Sequence, residues 1–158
     1  MAALPQLVTG GSGFVALELV QQLLESGHIV HTTVRSLKNP GKTKPLKALQ
    51  VKHEGKLNLF EADLLKPGSF AAAMAGCSVV YHVASPFRVP EKIKDGQKEM
   101  VEPALEGTRN VLQSVNQTES VKRVVFTSTS MFGLSYIRAC ASATLLLTKP
   151  SWCDRWRL

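Results

Sequence analysis

Gly10, Gly11 and Gly13 stand in the run Leu7-Val8-Thr9-Gly10-Gly11-Ser12-Gly13-Phe14-Val15-Ala16. Glycine at 10 and 13 lets the backbone turn sharply and approach a ligand closely, which a Cβ at either position would hinder. An apolar strand leads into this turn, and an amphipathic run leaves it as a helix. The first amides of a helix have no intrahelical acceptor and carry the positive end of its dipole, so a pyrophosphate can sit there. Ala16 takes the third small position of the dinucleotide fingerprint, where helix and strand pack closely.

Arg35 ends the β-branched stretch that follows, about where the fingerprint expects an Asp or Glu on the ribose hydroxyls of NAD. A guanidinium there fits a 2′-phosphate and can stack on adenine, so NADP is expected in preference to NAD, with plain surface charge as the alternative. Lys42 lies in a loop punctuated by Asn39-Pro40-Gly41; it either adds charge to that phosphate or is simply solvated. Asp63 follows an apolar strand, and it either reaches an adenine edge or caps the local turn. His82, inside a nearly continuous apolar run, is read as a hydrogen-bonded core histidine rather than a ligand. Ala84-Ser85-Pro86 leaves that run at the sheet edge where ligands bind, with side chains small enough for a ribose to approach.

Positioning these residues takes alternating strands and helices. After the glycine turn, Glu18, Gln21, Gln22 and Glu25 form one polar stripe, while Val15, Leu17, Leu19, Val20, Leu23 and Leu24 occupy the rest of a largely buried helix that Gly27 closes. Strands are expected over residues 28–34, 57–61, 78–84 and 121–127. A short helix is expected to begin at Pro45, and a brief one to run over residues 67–75. A long helix over residues 95–116 should bury Val101, Ala104, Leu105, Thr108, Val111, Leu112 and Val115, with Pro103 kinking or restarting it. The pattern is α/β, a Rossmann-type doubly wound parallel sheet that stops after about the fifth strand. Residues 1–133 are expected to form the nucleotide-binding domain and residues 134–158 an irregular tail.

The chain's 158 residues, 44% hydrophobic and 20% charged, describe one globular domain rather than a disordered segment. No signal-peptide pattern opens the chain and no stretch reaches membrane-spanning length, so a cytoplasmic protein without a membrane partner is expected. Cys77, Cys140 and Cys153 show no metal-ligand spacing and are expected as reduced thiols. The net charge of +7 has a local origin. Between residues 26 and 53 there is no Asp or Glu, yet Arg35, Lys38, Lys42, Lys44, Lys47 and Lys52 all fall there. No aromatic residue interleaves them, which argues against a nucleic-acid platform.

The sequence resembles the extended short-chain dehydrogenases/reductases, and within them the dihydroflavonol reductase, cinnamoyl-CoA reductase and aldehyde reductase group. The stretches that carry the resemblance are VTGGSGFVALELVQQLLESGH, TVRS, FEADLLKPGSF, GCSVVYHVASPF, VEPALEGTRNVL and VKRVVFTS. They fall in order over roughly the first 130 residues. The resemblance implies that Gly10, Gly13, Phe14 and Val15 form the pyrophosphate turn. It places Arg35 and Lys42 on the 2′-phosphate of NADP, Asp63 and Leu64 beside adenine, and Val83, Ala84 and Ser85 along the cofactor ribose. It also puts Thr129, with Ser128 adjacent, where a hydroxyl orients the substrate carbonyl.

Such reductases complete the site with a Tyr-x-x-x-Lys pair, whose lysine lowers the tyrosine pKa. Here Tyr81 is followed four later by Ser85 and Tyr136 by Cys140, so neither completes it. The chain is therefore expected to be the N-terminal cofactor-binding part of an NADP-dependent oxidoreductase acting on a small carbonyl or alcohol, truncated and catalytically incomplete. A non-catalytic NADP(H)-binding module, or a fragment of a nucleotide-sugar epimerase/dehydratase, is the alternative.

Overall fold

The computed structural model describes residues 4–86, 91, 93–127 and 144–148. Its strands are β1 (Gln6–Val8), β2 (Val30–Val34), β3 (Leu57–Glu61), β4 (Val79–His82), β5 (Arg123–Thr127) and β6 (Thr144–Thr148). They lie side by side in the order β3-β2-β1-β4-β5-β6. β1 to β5 are parallel throughout, whereas β6, in the stretch read as an irregular tail, pairs antiparallel to β5. The helices are α1 (Phe14–Glu25), α2 (Pro40–Lys52), α3 (Ala71–Met74) and α4 (Glu102–Asn116), the last preceded by a π-helical turn, Gln97–Val101.

β1 is buried on both faces, as a central parallel strand must be. Its alternation sends Leu7 to one core, with Phe70, Met74, Val80, Val111, Val115 and Val124. Val8 goes to the other, with Val20, Leu24, Val30, Val34, Leu46 and Leu57. α1 and α2 thus cover one face, and α3 and α4 the other. The chain builds β1, β2 and β3 outward in one direction, then crosses back to lay β4 on the opposite side of β1. The carboxyl ends of β1 and β4 diverge at that reversal, where open α/β sheets bind ligands.

Three helices differ from the sequence-based expectation: of the span expected over residues 67–75 only Ala71–Met74 is helical, because Gly68, at a φ of 74°, turns the chain before it. α2 starts at Pro40, not Pro45. The Asn39 side chain accepts the Lys42 amide at 3.3 Å, and Pro40 occupies the first helical position, so the dipeptide read as loop punctuation is an N-cap followed by its favoured proline. Pro45 lies inside the helix, where it forgoes one backbone bond. In α4 the buried residues are Gly107, Asn110, Val111, Ser114 and Val115, while Val101 and Leu105 face outward at 41% and 53% exposure. Pro103 explains the offset. Without an N–H it cannot bond to the carbonyl four residues back, and its ring crowds that carbonyl, so the preceding turn widens and the helix restarts with its faces rotated.

Candidate functional site

The glycine turn is fastened from both sides by threonines. On the β2 side, the Gly10 amide donates to Thr33 Oγ1 at 3.2 Å and the Gly11 amide to the Thr33 carbonyl at 2.8 Å. Thr32 Oγ1 donates to the Val8 carbonyl at 2.9 Å, and a Cβ on Gly11 would overlap that hydroxyl. Gly10 has a φ of 73°, in the left-handed region that glycine adopts freely. On the β4 side, Thr9 Oγ1 accepts the Val83 amide at 3.1 Å and the Ala84 amide at 3.0 Å, and pairs with His82 Nδ1 at 3.1 Å.

This fastening sorts the amides of the turn. Gly10, Gly11 and Gly13 spend theirs on protein oxygens, the last on the Gly10 carbonyl at 2.8 Å. The helical ladder begins with Leu17, which donates to the Gly13 carbonyl at 2.9 Å. No described residue accepts the amides of Ser12, Phe14, Val15 or Ala16. Four donors at the opening of a twelve-residue helix make a cradle for an anionic oxygen cluster. Of the residues expected on a pyrophosphate, Phe14 and Val15 therefore have free amides, while Gly10 and Gly13 shape the turn.

Arg35 emerges just past β2, exposed and without an ion pair to any described residue. It lines a cleft of about 570 Å³ with Glu61, Ala62, Asp63, Lys66, Pro67, Gly68 and Ser69. Asp63 caps its own turn, since Oδ1 accepts the Leu65 amide at 2.9 Å. Ser69 Oγ holds the same residue by accepting its amide at 3.2 Å and donating to its carbonyl at 2.7 Å. Among the described residues nothing donates to Oδ2 of this cleft-lining side chain. Leu64 contributes scaffold: its side chain lies where a Cβ on Gly107 would come within 3.0 Å, and its carbonyl accepts Asn110 Nδ2 at 2.8 Å. Lys42 is exposed on the first turn of α2. Val83 packs against the α1-side core, and Ala84 Cβ lies against Gly10, 3.0 Å from where a Cβ would be built. Ser85 is exposed beside it.

His82 is buried, with its ring edge-on to Phe126 at 5.1 Å, and desolvation pulls its pKa from 6.5 down to about 4. It is the hydrogen-bonded core histidine the sequence implied. Tyr81 donates its hydroxyl to Gln6 Oε1 at 3.1 Å, tying it to the first residue of β1 and away from the glycine turn; burial raises its pKa. Ser128 and Thr129 lie outside the described residues. The fastening itself has no mark in the sequence: Thr9 stands there only as part of the glycine run and Thr32 and Thr33 as part of the β-branched stretch before Arg35, and nothing local signals bonds that span 23 to 75 positions.

Residues 6–144 match the model of the NAD dependent epimerase/dehydratase family. A putative anthocyanidin reductase of Ginkgo biloba is 47% identical over 123 residues, 78% of this chain and 35% of its own length. A dihydroflavonol 4-reductase of Hordeum vulgare is 42% identical over 126 residues, 80% of this chain and 35% of its own. Among solved structures, Gre2 from Candida albicans in complex with NADPH superposes with a TM-score of 0.69 at 32% identity, covering 79% of this chain and 37% of that one. The chain thus spans little more than a third of the length of these relatives. With the glycine turn, the strand reversal and the matched sequence in agreement, the chain belongs to the NAD dependent epimerase/dehydratase family.

Proposed function

We propose that this chain is the coenzyme-binding part of an NADP(H)-dependent carbonyl reductase, binding the coenzyme without turning substrate over by itself. The observation that carries the reading is Arg35: a guanidinium just past the carboxyl end of β2, unpaired among the described residues and sharing a cleft with Asp63 and Lys66. A guanidinium forks onto phosphate oxygens with charge-assisted hydrogen bonds, and a 2′-phosphate is what distinguishes NADP from NAD. Ser12, Phe14, Val15 and Ala16 would offer their free amides to the pyrophosphate, and Asp63 Oδ2 would accept from the adenine. Ala84 and Ser85 would line the ribose next to the turn.

Bound NADPH supplies a hydride, and the carbonyl that receives it then needs a proton. Thr129, with Ser128 beside it, would orient that carbonyl by hydrogen bonding. No Tyr-x-x-x-Lys pair exists in the sequence to deliver the proton, and Tyr81 is committed to Gln6. Lack of general acid catalysis alone removes a factor of about 10²–10⁴. Titrating the chain with NADPH and NADH, followed by fluorescence, tests the reading. NADPH should bind more tightly, and Arg35→Glu should weaken it by roughly tenfold or more while leaving NADH nearly unchanged, as for loss of a charge-assisted bond. Equal affinity for the two coenzymes, or an indifferent Arg35→Glu, would overturn it.

A further inference from the structure

Three partners converge on one oxygen at the carboxyl end of β1. Thr9 Oγ1 lies 3.1 Å from the Val83 amide, 3.0 Å from the Ala84 amide and 3.1 Å from His82 Nδ1. A hydroxyl has one proton and two lone pairs. Both amides can only donate, so they occupy both lone pairs. The hydroxyl proton is left for His82 Nδ1, which must carry none of its own. The ring is therefore neutral, with its proton on Nε2. An imidazolium, or the other tautomer, would set a third donor against an oxygen with no lone pair left. Burial of Thr9 and His82 favours the same uncharged state.

What this bond holds is the exit of β4. The two amides taken by Thr9 belong to the residues at which the chain leaves the sheet. Ala84 is also the residue whose Cβ faces Gly10, at 3.0 Å from where a Cβ there would stand. A rotation of the Thr9 hydroxyl would release one of the two amides and let Ala84 shift against the glycine turn. We propose that His82 is a positioning residue for coenzyme binding: by accepting the Thr9 proton, it directs the Thr9 lone pairs to Val83 and Ala84 and sets the segment after β4 against the glycine turn. The inference rests on the coenzyme reading above and deepens it. His82 acts through Thr9 and touches no ligand itself.

The test uses the whole chain, NADP⁺ as the probe and two readouts. In the ¹⁵N spectrum of the histidines at neutral pH, His82 Nδ1 should be bare and Nε2 protonated; a proton on Nδ1 overturns the inference. His82→Asn presents a carboxamide oxygen at about the reach of Nδ1, so it should keep NADP⁺ affinity within about threefold. His82→Leu offers no acceptor and should lose about tenfold, as for one hydrogen bond. Equal losses in both variants, or none in His82→Leu, overturn the positioning role. Should His82→Leu fail to fold, the ¹⁵N spectrum of the unaltered chain still decides, and Thr9→Ser against Thr9→Val tests the hydroxyl through which His82 acts, since serine keeps it and valine does not. Parity between those two is equally fatal. Absence of NADP⁺ binding by the unaltered chain would overturn the proposed function and the role of His82 with it, whereas binding with a protonated Nδ1 overturns this inference alone.

Discussion

Gly11 has less room than its neighbours in the turn, because the Thr32 hydroxyl beneath it is tied to the Val8 carbonyl and cannot swing away freely. Gly11→Ala should cost about 1–3 kcal/mol of stability, the usual penalty of forcing an atom into a filled site, measured by urea unfolding. Ser12→Ala, at a half-buried position with no hydrogen bond to a described side chain, should stay within about 0.5 kcal/mol. His82 carries a pH prediction. Its folded pKa of about 4 lies below the ordinary 6.5, so between those values the unfolded chain binds more protons than the folded one. Its contribution is fully present above about pH 6.5 and is lost as the pH falls toward 4, roughly 3 kcal/mol in all. Urea midpoints across that range should fall more steeply for the unaltered chain than for His82→Asn. In the sequence, Gly10, Arg35 and Ala84 could be read as parts of one site because each sits at a strand end. Their fastening could not, since Thr9 meets His82 only once β1 and β4 are paired.

The five parallel strands were legible because each is a short apolar or β-branched run, and β3 matches its expected span residue for residue. The helices were harder, and the difficulty was proline. Pro40 and Pro45 both suit a helix start, and only Asn39 on the first of them decides which one is used. Asn39→Ala should lower stability by about 1 kcal/mol through loss of the cap, whereas Pro45→Ala should raise it by restoring a backbone bond; urea midpoints report both. Pro103 misled in another way. Counting every third or fourth residue through it places Leu105 inside, but the widened turn Gln97–Val101 rotates α4 so that Gly107 and Asn110 turn inward against Leu64 instead. That rotation puts Asn110 against the Leu64 carbonyl and steadies the loop that carries Asp63. Asn110→Ala should therefore weaken NADP⁺ binding a few-fold, a loss of about one hydrogen bond, besides lowering stability.

At the scale of the molecule, the basic residues between positions 26 and 53 lie in the connection after β2, with Arg35 and Lys38, and in α2, with Lys42, Lys44, Lys47 and Lys52. Their summed field should draw an anionic ligand, so NADP⁺ affinity should fall several-fold between low salt and ~0.5 M, and more steeply than NAD⁺ affinity. Large apolar side chains stand exposed at several places, among them Phe14 at 91% exposure on the first turn of α1 and Leu105 on α4. Contiguous apolar surface promotes association, so light scattering should rise with concentration and fall in Phe14→Ser combined with Leu105→Ser. No helix among the described residues is long and apolar enough to cross a membrane. The glycine turn, locked by Thr33 on one flank and Thr9 on the other, would meet the proposed dinucleotide as a finished mould rather than one that closes around it. Such preorganisation leaves little entropy to surrender on association. Deuterium exchange would make the division visible: the backbone hydrogens of Gly10, Gly11 and Gly13 should exchange slowly with or without a dinucleotide, while those of Ser12, Phe14, Val15 and Ala16 should slow only when one is bound.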